Sequence, residues 1–159
     1  MLLNKTKDIE TFKQILEIIE KRSSCARLQV GCLLIKNGRI ISTGWNGVPS
    51  KTLAGNSNGI IHCSEYFKDR LTEDDFTIKH TDYSAKFEIH AEQNAIAIAA
   101  KEGISTKDSV LFTSYCPCSY CAKLIVTVGI KEVYYVEDYD RNDYGKELLT
   151  RCGVELIKI

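Results

Sequence analysis

A chain of 159 residues, 44% hydrophobic and 26% charged, has the size and balance of one globular domain running over residues 1–159. Its 21 Lys and Arg against 21 Asp and Glu give zero formal net charge, which argues against a nucleic-acid partner, because such binders carry a basic excess. There is no signal-peptide core and no membrane-spanning run, so the expected location is the cytoplasm, without a membrane partner.

Residues 6–22 carry Ile9, Phe12, Ile15, Leu16 and Ile19 at helical spacing. Ser23-Ser24-Cys25-Ala26-Arg27 is a polar break. Val30–Ile35 and Arg39–Trp45 read as two strands joined by the tight-turn dipeptide Asn37-Gly38. Gly44-Trp45-Asn46-Gly47-Val48-Pro49 ends the second strand in turn residues. Local chemistry leaves Asn46 open between a turn role and a hydrogen bond to a ligand.

Residues 50–86 lack clear periodicity and are expected to form a long functional or metal-tied insert. Within it, residues 54–59 read as a loop, Cys63–Leu71 as a short helix and Glu73-Asp74-Asp75 as a solvated acidic turn. It also holds His62, Cys63 and His80. Ile89–Glu102 is an Ala-rich buried helix with His90 in its first turn and Gly103 as its stop. Val110–Thr113 is a buried strand, Cys118–Val128 a helix and Glu132–Val136 a strand. A polar loop over residues 138–143, a helix at Lys146–Arg151 and a last strand at Val154–Ile159 complete the chain. This order predicts an α/β fold with one mixed sheet of about five strands covered by helices.

Seven cysteines in a cytoplasmic chain read as metal ligands, buried small residues or free thiols before disulfides. Cys118 and Cys121 lie three apart, which on a helix puts both thiols on one face. Pro117 suits the helix start, where its missing N–H costs nothing, and the helix dipole favours thiolates there. His90 supplies a third ligand. Three ligands leave the fourth zinc position for water, the arrangement of a catalytic rather than a structural site. Zinc lowers the pKa of such a water toward neutrality. Glu92 is then the natural proton shuttle between that water and a substrate. His-x-Glu followed by Pro-Cys-x-x-Cys is the signature of zinc-dependent nucleobase deaminases. Cys32, Cys116 and Cys152 lie in or beside apolar runs and read as core thiols.

The chain resembles the deoxycytidylate (dCMP) deaminase family, its phage members most closely. The resemblance rests on Val30-Gly31, residues 36–44, Asn46-Gly47 with Pro49, Glu88-Ile89-His90-Ala91-Glu92, Pro117-Cys118 with Cys121-Ala122-Lys123, residues 129–131 and Tyr139-Asp140. It implies a three-layer α-β-α cytidine-deaminase-like fold and hydrolysis of dCMP to dUMP for thymidylate synthesis, with Glu92 as acid and base. It also implies Asn46 on the deoxyribose, and Ser23 and Tyr139 near the 5′-phosphate. Arg22 and Arg27 flank that segment and are added as phosphate partners on chemistry alone. A Lys often follows the serine in this family and Ser24 stands here, so the cation that holds the phosphate is left open. The resemblance further implies a second, structural zinc on Cys25, Cys63, His80 and Glu88, with His62 competing against His80 as the imidazole. It implies a hexamer activated by dCTP with Mg2+ and inhibited by dTTP, an effector pocket near residues 50–86, and Lys101 as a weak effector contact. The alternatives are a deaminase that also takes dCTP, one acting on a tRNA or other nucleic-acid base, and a non-catalytic zinc interaction domain.

Overall fold

The computed structural model describes residues 5–49, 60–69, 72, 75–139 and 144–159. The loop expected at 54–59, residues 70 and 71 of the helix expected at 63–71 (which already ends at Tyr66), Glu73 and Asp74 of the acidic turn and residues 140–143 of the polar loop lie outside the described residues. The elements in chain order are α1 (Lys5–Glu20), β1 (Gly31–Lys36), β2 (Arg39–Trp45), α2 (Cys63–Tyr66), α3 (Phe76–Phe87), α4 (Ala91–Lys101), β3 (Val110–Tyr115), α5 (Ser119–Thr127), β4 (Glu132–Glu137), α6 (Tyr144–Arg151) and β5 (Glu155–Lys158). No helix among the described residues is long and apolar enough to cross a membrane.

The five strands form one mixed sheet in the order β2-β1-β3-β4-β5. β1 is antiparallel to β2 and to β3, whereas β3, β4 and β5 run parallel. Asn37 and Gly38 both have positive φ, 52° and 72°, the geometry that lets a two-residue hairpin follow the strand twist. The run Cys32-Leu33-Leu34-Ile35 is buried throughout because the sheet is covered on both faces. Leu33 and Ile35 meet Phe12 and Leu16 of α1, with Phe112 stacked on Tyr134 at 4.6 Å. Cys32 and Leu34 face the other way, onto Ala91, Ala95 and Ala99 of α4 and Ile125 of α5. Helix, sheet, helix is therefore the layer order, in agreement with the expected class. Cys32 and Cys116 are core thiols as expected.

Two expectations are corrected. The insert is not irregular throughout, since α3 occupies residues 76–87. Its inward stripe is the half-buried Phe76 with the buried His80 and Tyr83, spaced four and three. The histidine and the exposed Ile78 hid that period from a purely apolar reading. Phe67, Tyr83, Cys25, Cys63 and Val48 form a small core of their own beneath it. Cys152 is exposed, not a core thiol. It lies in the last turn after α6, where its N–H closes onto Leu148 O at 3.0 Å, and Val154 takes the core position beyond Gly153.

Two glycines set how closely the layers approach. A Cβ at Gly44 on β2 would lie 2.3 Å from Ala91 O and 2.4 Å from Ala95 N of α4. A Cβ at Gly145 on α6 would lie 2.1 Å from Pro117 O. Gly38 has open space around it and only its positive φ to satisfy. Gly44→Ala and Gly145→Ala should each lower the free energy of unfolding by about 3 kcal/mol or more, because backbone cannot yield as a side chain does. Gly38→Ala should cost about 1 kcal/mol. Urea denaturation of the three variants checks the ranking, and equal losses at all three would contradict this packing.

Candidate active site

β3 ends at Tyr115, and the ladder continues for one more bond, from Cys116 N to Glu137 O at 2.8 Å. Pro117 is fully buried and turns the chain. Cys118 is then the N-cap of α5, with extended backbone (φ −69°, ψ 170°), and Cys121 lies in the first turn. His90 is likewise the N-cap of α4 (φ −73°, ψ 155°). Its N–H is accepted by Gln93 Oε1 at 3.1 Å, half of a capping box. Two helix N-termini therefore deliver their capping residues to one place, and both dipoles favour negative charge there.

His90 Nδ1 lies 3.3 Å from Cys121 Sγ and 3.5 Å from Cys118 Sγ. Ordinary Zn–S and Zn–N lengths at a tetrahedral angle place N and S roughly 3.6 Å apart, so this donor set fits zinc. Hydrogen bonding from the Cys121 thiol, seconded by His90, holds Cys118 down to about 4, and Cys121 is correspondingly pushed up. The hydrogen bond to Cys118 raises His90. Glu92, on the first turn of α4, is only 5% exposed and accepts from the Cys121 thiol at 3.4 Å. Burial raises its carboxyl, which suits a group that must both hold and release a proton.

Cys25, Cys63, His80 and Glu88 form a second group, with donor atoms within 4.8 Å of one another. Cys25 Sγ lies 3.2 Å from His80 Nε2. Hydrogen bonding to Cys63 draws Cys25 down to about 5, and Cys63 is raised in turn. Ala26 N–H donates to Cys63 Sγ at 3.0 Å. Both carboxylate oxygens of Glu88 and His80 Nδ1 are buried without a hydrogen-bond partner among the described residues. A buried carboxylate with nothing to donate to it is costly, and a cation among these four donors removes that cost. His62 is not in the group, because its Nδ1 is hydrogen-bonded to Ser24 Oγ.

A cavity of about 630 Å³ is lined by members of both groups, namely His90 and Cys118 from one and Cys25, His80 and Glu88 from the other. Glu92, Arg27, Asn46, Tyr115, Tyr120 and Tyr139 also line it, and Arg27 is the one Lys or Arg among the described lining residues. Asn46 accepts from Val30 N–H and donates to Leu28 O, both at 2.8 Å, so it ties the strand entry as well as facing the cavity. Arg22, Ser23 and Lys101 are not among the lining residues. The Arg22 guanidinium lies 4.4 Å over the Trp45 ring. Ser23 is buried, its hydroxyl accepting from Cys25 N–H at 3.1 Å. Lys101 is exposed at the far end of α4, paired with Glu102 at 3.6 Å.

Several contributors escaped the sequence reading. Gln93 was legible as the third residue after a cap. Asn94, which donates to Trp45 O at 2.9 Å, and Gly145, pressed against Pro117, depend on contacts distant in the chain and left no local signal.

Residues 5–137 match the family described as the cytidine and deoxycytidylate deaminase zinc-binding region. The chain is 33% identical to the deoxycytidylate deaminase of Enterobacteria phage T2 over 94% of its own length and 90% of the relative's. It is 32% identical to that of phage T4, over 94% and 88%. The crystal structure of the dCMP deaminase from cyanophage S-TIM5, in complex with dCMP and dUMP, superposes with a TM-score of 0.76 at 34% identity, over 98% of both chains. With its sheet order, its two-helix donor set and these relatives in agreement, the chain belongs to the cytidine and deoxycytidylate deaminase family, on the deoxycytidylate branch.

Proposed function

We propose that this protein hydrolyses dCMP to dUMP and ammonia, with zinc held by His90, Cys118 and Cys121. The observation that carries the reading is the buried Glu92 carboxylate beside those three donors, at the wall of a cavity of the size small-molecule sites have. Zinc bound there would supply a Lewis acid that makes water acidic enough to attack at neutral pH. Glu92 takes a proton from the attacking water and hands one to N3 of the cytosine ring. It then carries the second proton of that water to the amino group on C4, which leaves as ammonia. Burial favours this relay, since the carboxyl exchanges protons with the substrate rather than with solvent. Asn46 faces the cavity next to the strand entry and is the proposed partner of the deoxyribose.

Arg27 and Tyr139 are the proposed phosphate partners. Both line the cavity, and Arg27 offers the permanent charge and forked donors that a phosphate needs. Arg22, spread over Trp45, and Ser23, engaged with Cys25, have less to offer. Cys25, Cys63, His80 and Glu88 are proposed to hold a second, structural zinc that ties the insert to the rest of the protein. Four protein donors leave no position for water, the mark of a structural site. The hexamer, its activation by dCTP with Mg2+ and its inhibition by dTTP belong to the same proposal and are supported by the resemblance. Lys101 is kept as the effector-side residue to test.

Three measurements check this reading. Glu92→Gln should lower kcat on dCMP by about a thousandfold with zinc content unchanged. Retention of a tenth of the activity would remove Glu92 from the mechanism. Wild-type protein should carry two zinc ions per chain by atomic absorption, and Cys63→Ser should carry one, with the insert cut faster by protease. A single zinc in the wild type would remove the second site. Arg27→Ala should raise KM for dCMP by about tenfold or more while leaving deoxycytidine unaffected. Equal losses on the two substrates would show that Arg27 does not bind the phosphate.

A further inference from the structure

We infer that Tyr120 is a substrate-binding residue whose ring covers the pyrimidine at the mouth of the cavity. The inference rests on the dCMP reading and adds to it a contact with the base itself. Tyr120 lies between the two cysteine ligands in sequence, in the first turn of α5. It is 70% exposed and yet lines the cavity together with Cys118, so it has a wet face and a face on the site.

The helix start explains this placement. A helical side chain lies over the turn N-terminal to its own Cα. In the first turn no such turn precedes it, so the ring projects past Cys118, in the direction of the cavity. Lys123, three residues on, holds its ammonium 5.4 Å from the ring centroid, which braces the ring from the helix side. The insert helix α3 contributes the small side chains of Thr81, Ser84 and Ala85 to the same lining. A flat ring and small residues in one lining leave a space suited to a planar heterocycle. Among the described residues nothing in the packing requires an aromatic here, since Tyr120 belongs to none of the buried clusters.

Stacking on an aromatic ring reads the π-face and is blind to sugar and phosphate. This separates Tyr120 from Arg27. Tyr120→Ala should raise KM by about tenfold for dCMP and by the same factor for deoxycytidine. It should weaken inhibition by dUMP equally, with kcat within about twofold of wild type and zinc content unchanged. Tyr120→Phe keeps the ring and should behave as wild type. A Tyr120→Ala protein with KM within twofold of wild type overturns the inference. So does a Tyr120→Phe protein as weak as Tyr120→Ala, which would make the hydroxyl the contact, and so does a loss confined to dCMP. Failure of the wild type to deaminate dCMP would overturn the function reading and this inference together. A fully active wild type beside an equally active Tyr120→Ala sinks this inference alone.

Discussion

Two hydrogen bonds between Gly47 and Ile89 hold the site together. Ile89 N–H donates to Gly47 O at 3.0 Å, and Gly47 N–H donates to Ile89 O at 3.2 Å. The backbone is extended at Glu88 (φ −104°, ψ 147°) and at His90 (φ −73°, ψ 155°). In extended chain, residues two apart project to the same side. Glu88 and His90 therefore both reach the cavity, one toward each donor group. Gly47 has φ +146°, a conformation that L side chains rarely adopt, and a Cβ there would lie 3.3 Å from Ser24 Oγ. That hydroxyl is held by His62, the residue that caps α2 just before Cys63. One small bridge thus fixes the imidazole of the first group and is braced by the segment that carries the second.

Each donor group stores a large unmet polar demand. Two thiols this close share a proton, so one is drawn down and the other pushed up, as at Cys118 and Cys121. Cys25 and Cys63 repeat the pattern. Glu88 adds a buried carboxylate without a hydrogen-bond partner among the described residues. A fold that buries such groups would take back stability if a cation bound, which would link metal binding to the folding of this region. The small aromatic cluster of Phe67, Phe76 and Tyr83 packs beside the second group, with Phe67 5.8 Å and Phe76 5.6 Å from the His80 ring. Those rings fix where His80 can point, and this is why the insert's core and its ligands belong to one structure.

Features whose signal is local were legible in the sequence. Asn37-Gly38 announced the hairpin because a two-residue turn needs positive φ at both positions. His90 and Cys118 were legible as lying at helix starts, whereas the structure places each one step outside its helix, as a cap. α3 was not legible, since its buried stripe contains a histidine and its exposed face contains Ile78. Cys152 was misread because an apolar neighbourhood in sequence says nothing about which residue of the last turn faces in. Gly44 and Gly145 were silent for a different reason: their neighbours come from helices remote in the chain, and only the assembled layers show that no Cβ fits. Asn46 was left open between two roles, and its amide does bond backbone on both sides while facing the cavity.

The position of the site follows from a change of direction in the sheet. β3 is the junction strand, antiparallel to β1 on one side and parallel to β4 on the other. Antiparallel pairing brings the start of β1 beside the end of β3, as the bond from Gly31 N–H to Ser114 Oγ at 2.9 Å records. The end of β2 returns to the same edge, because it pairs with the start of β1. Parallel pairing brings the end of β4 there too, and with it Tyr139. Arg27, Asn46, Cys118 and Tyr139 thus arrive at one sheet edge from four strand ends, and the N-termini of α4 and α5 close it from above. Ligands collect at the carboxyl ends of parallel strands because the loops there are free to vary and the helix starts point toward them. Here the antiparallel half of the sheet adds a strand start and a hairpin end to that edge. This is how so short a chain surrounds a cavity with two donor groups and an arginine while its net charge remains zero.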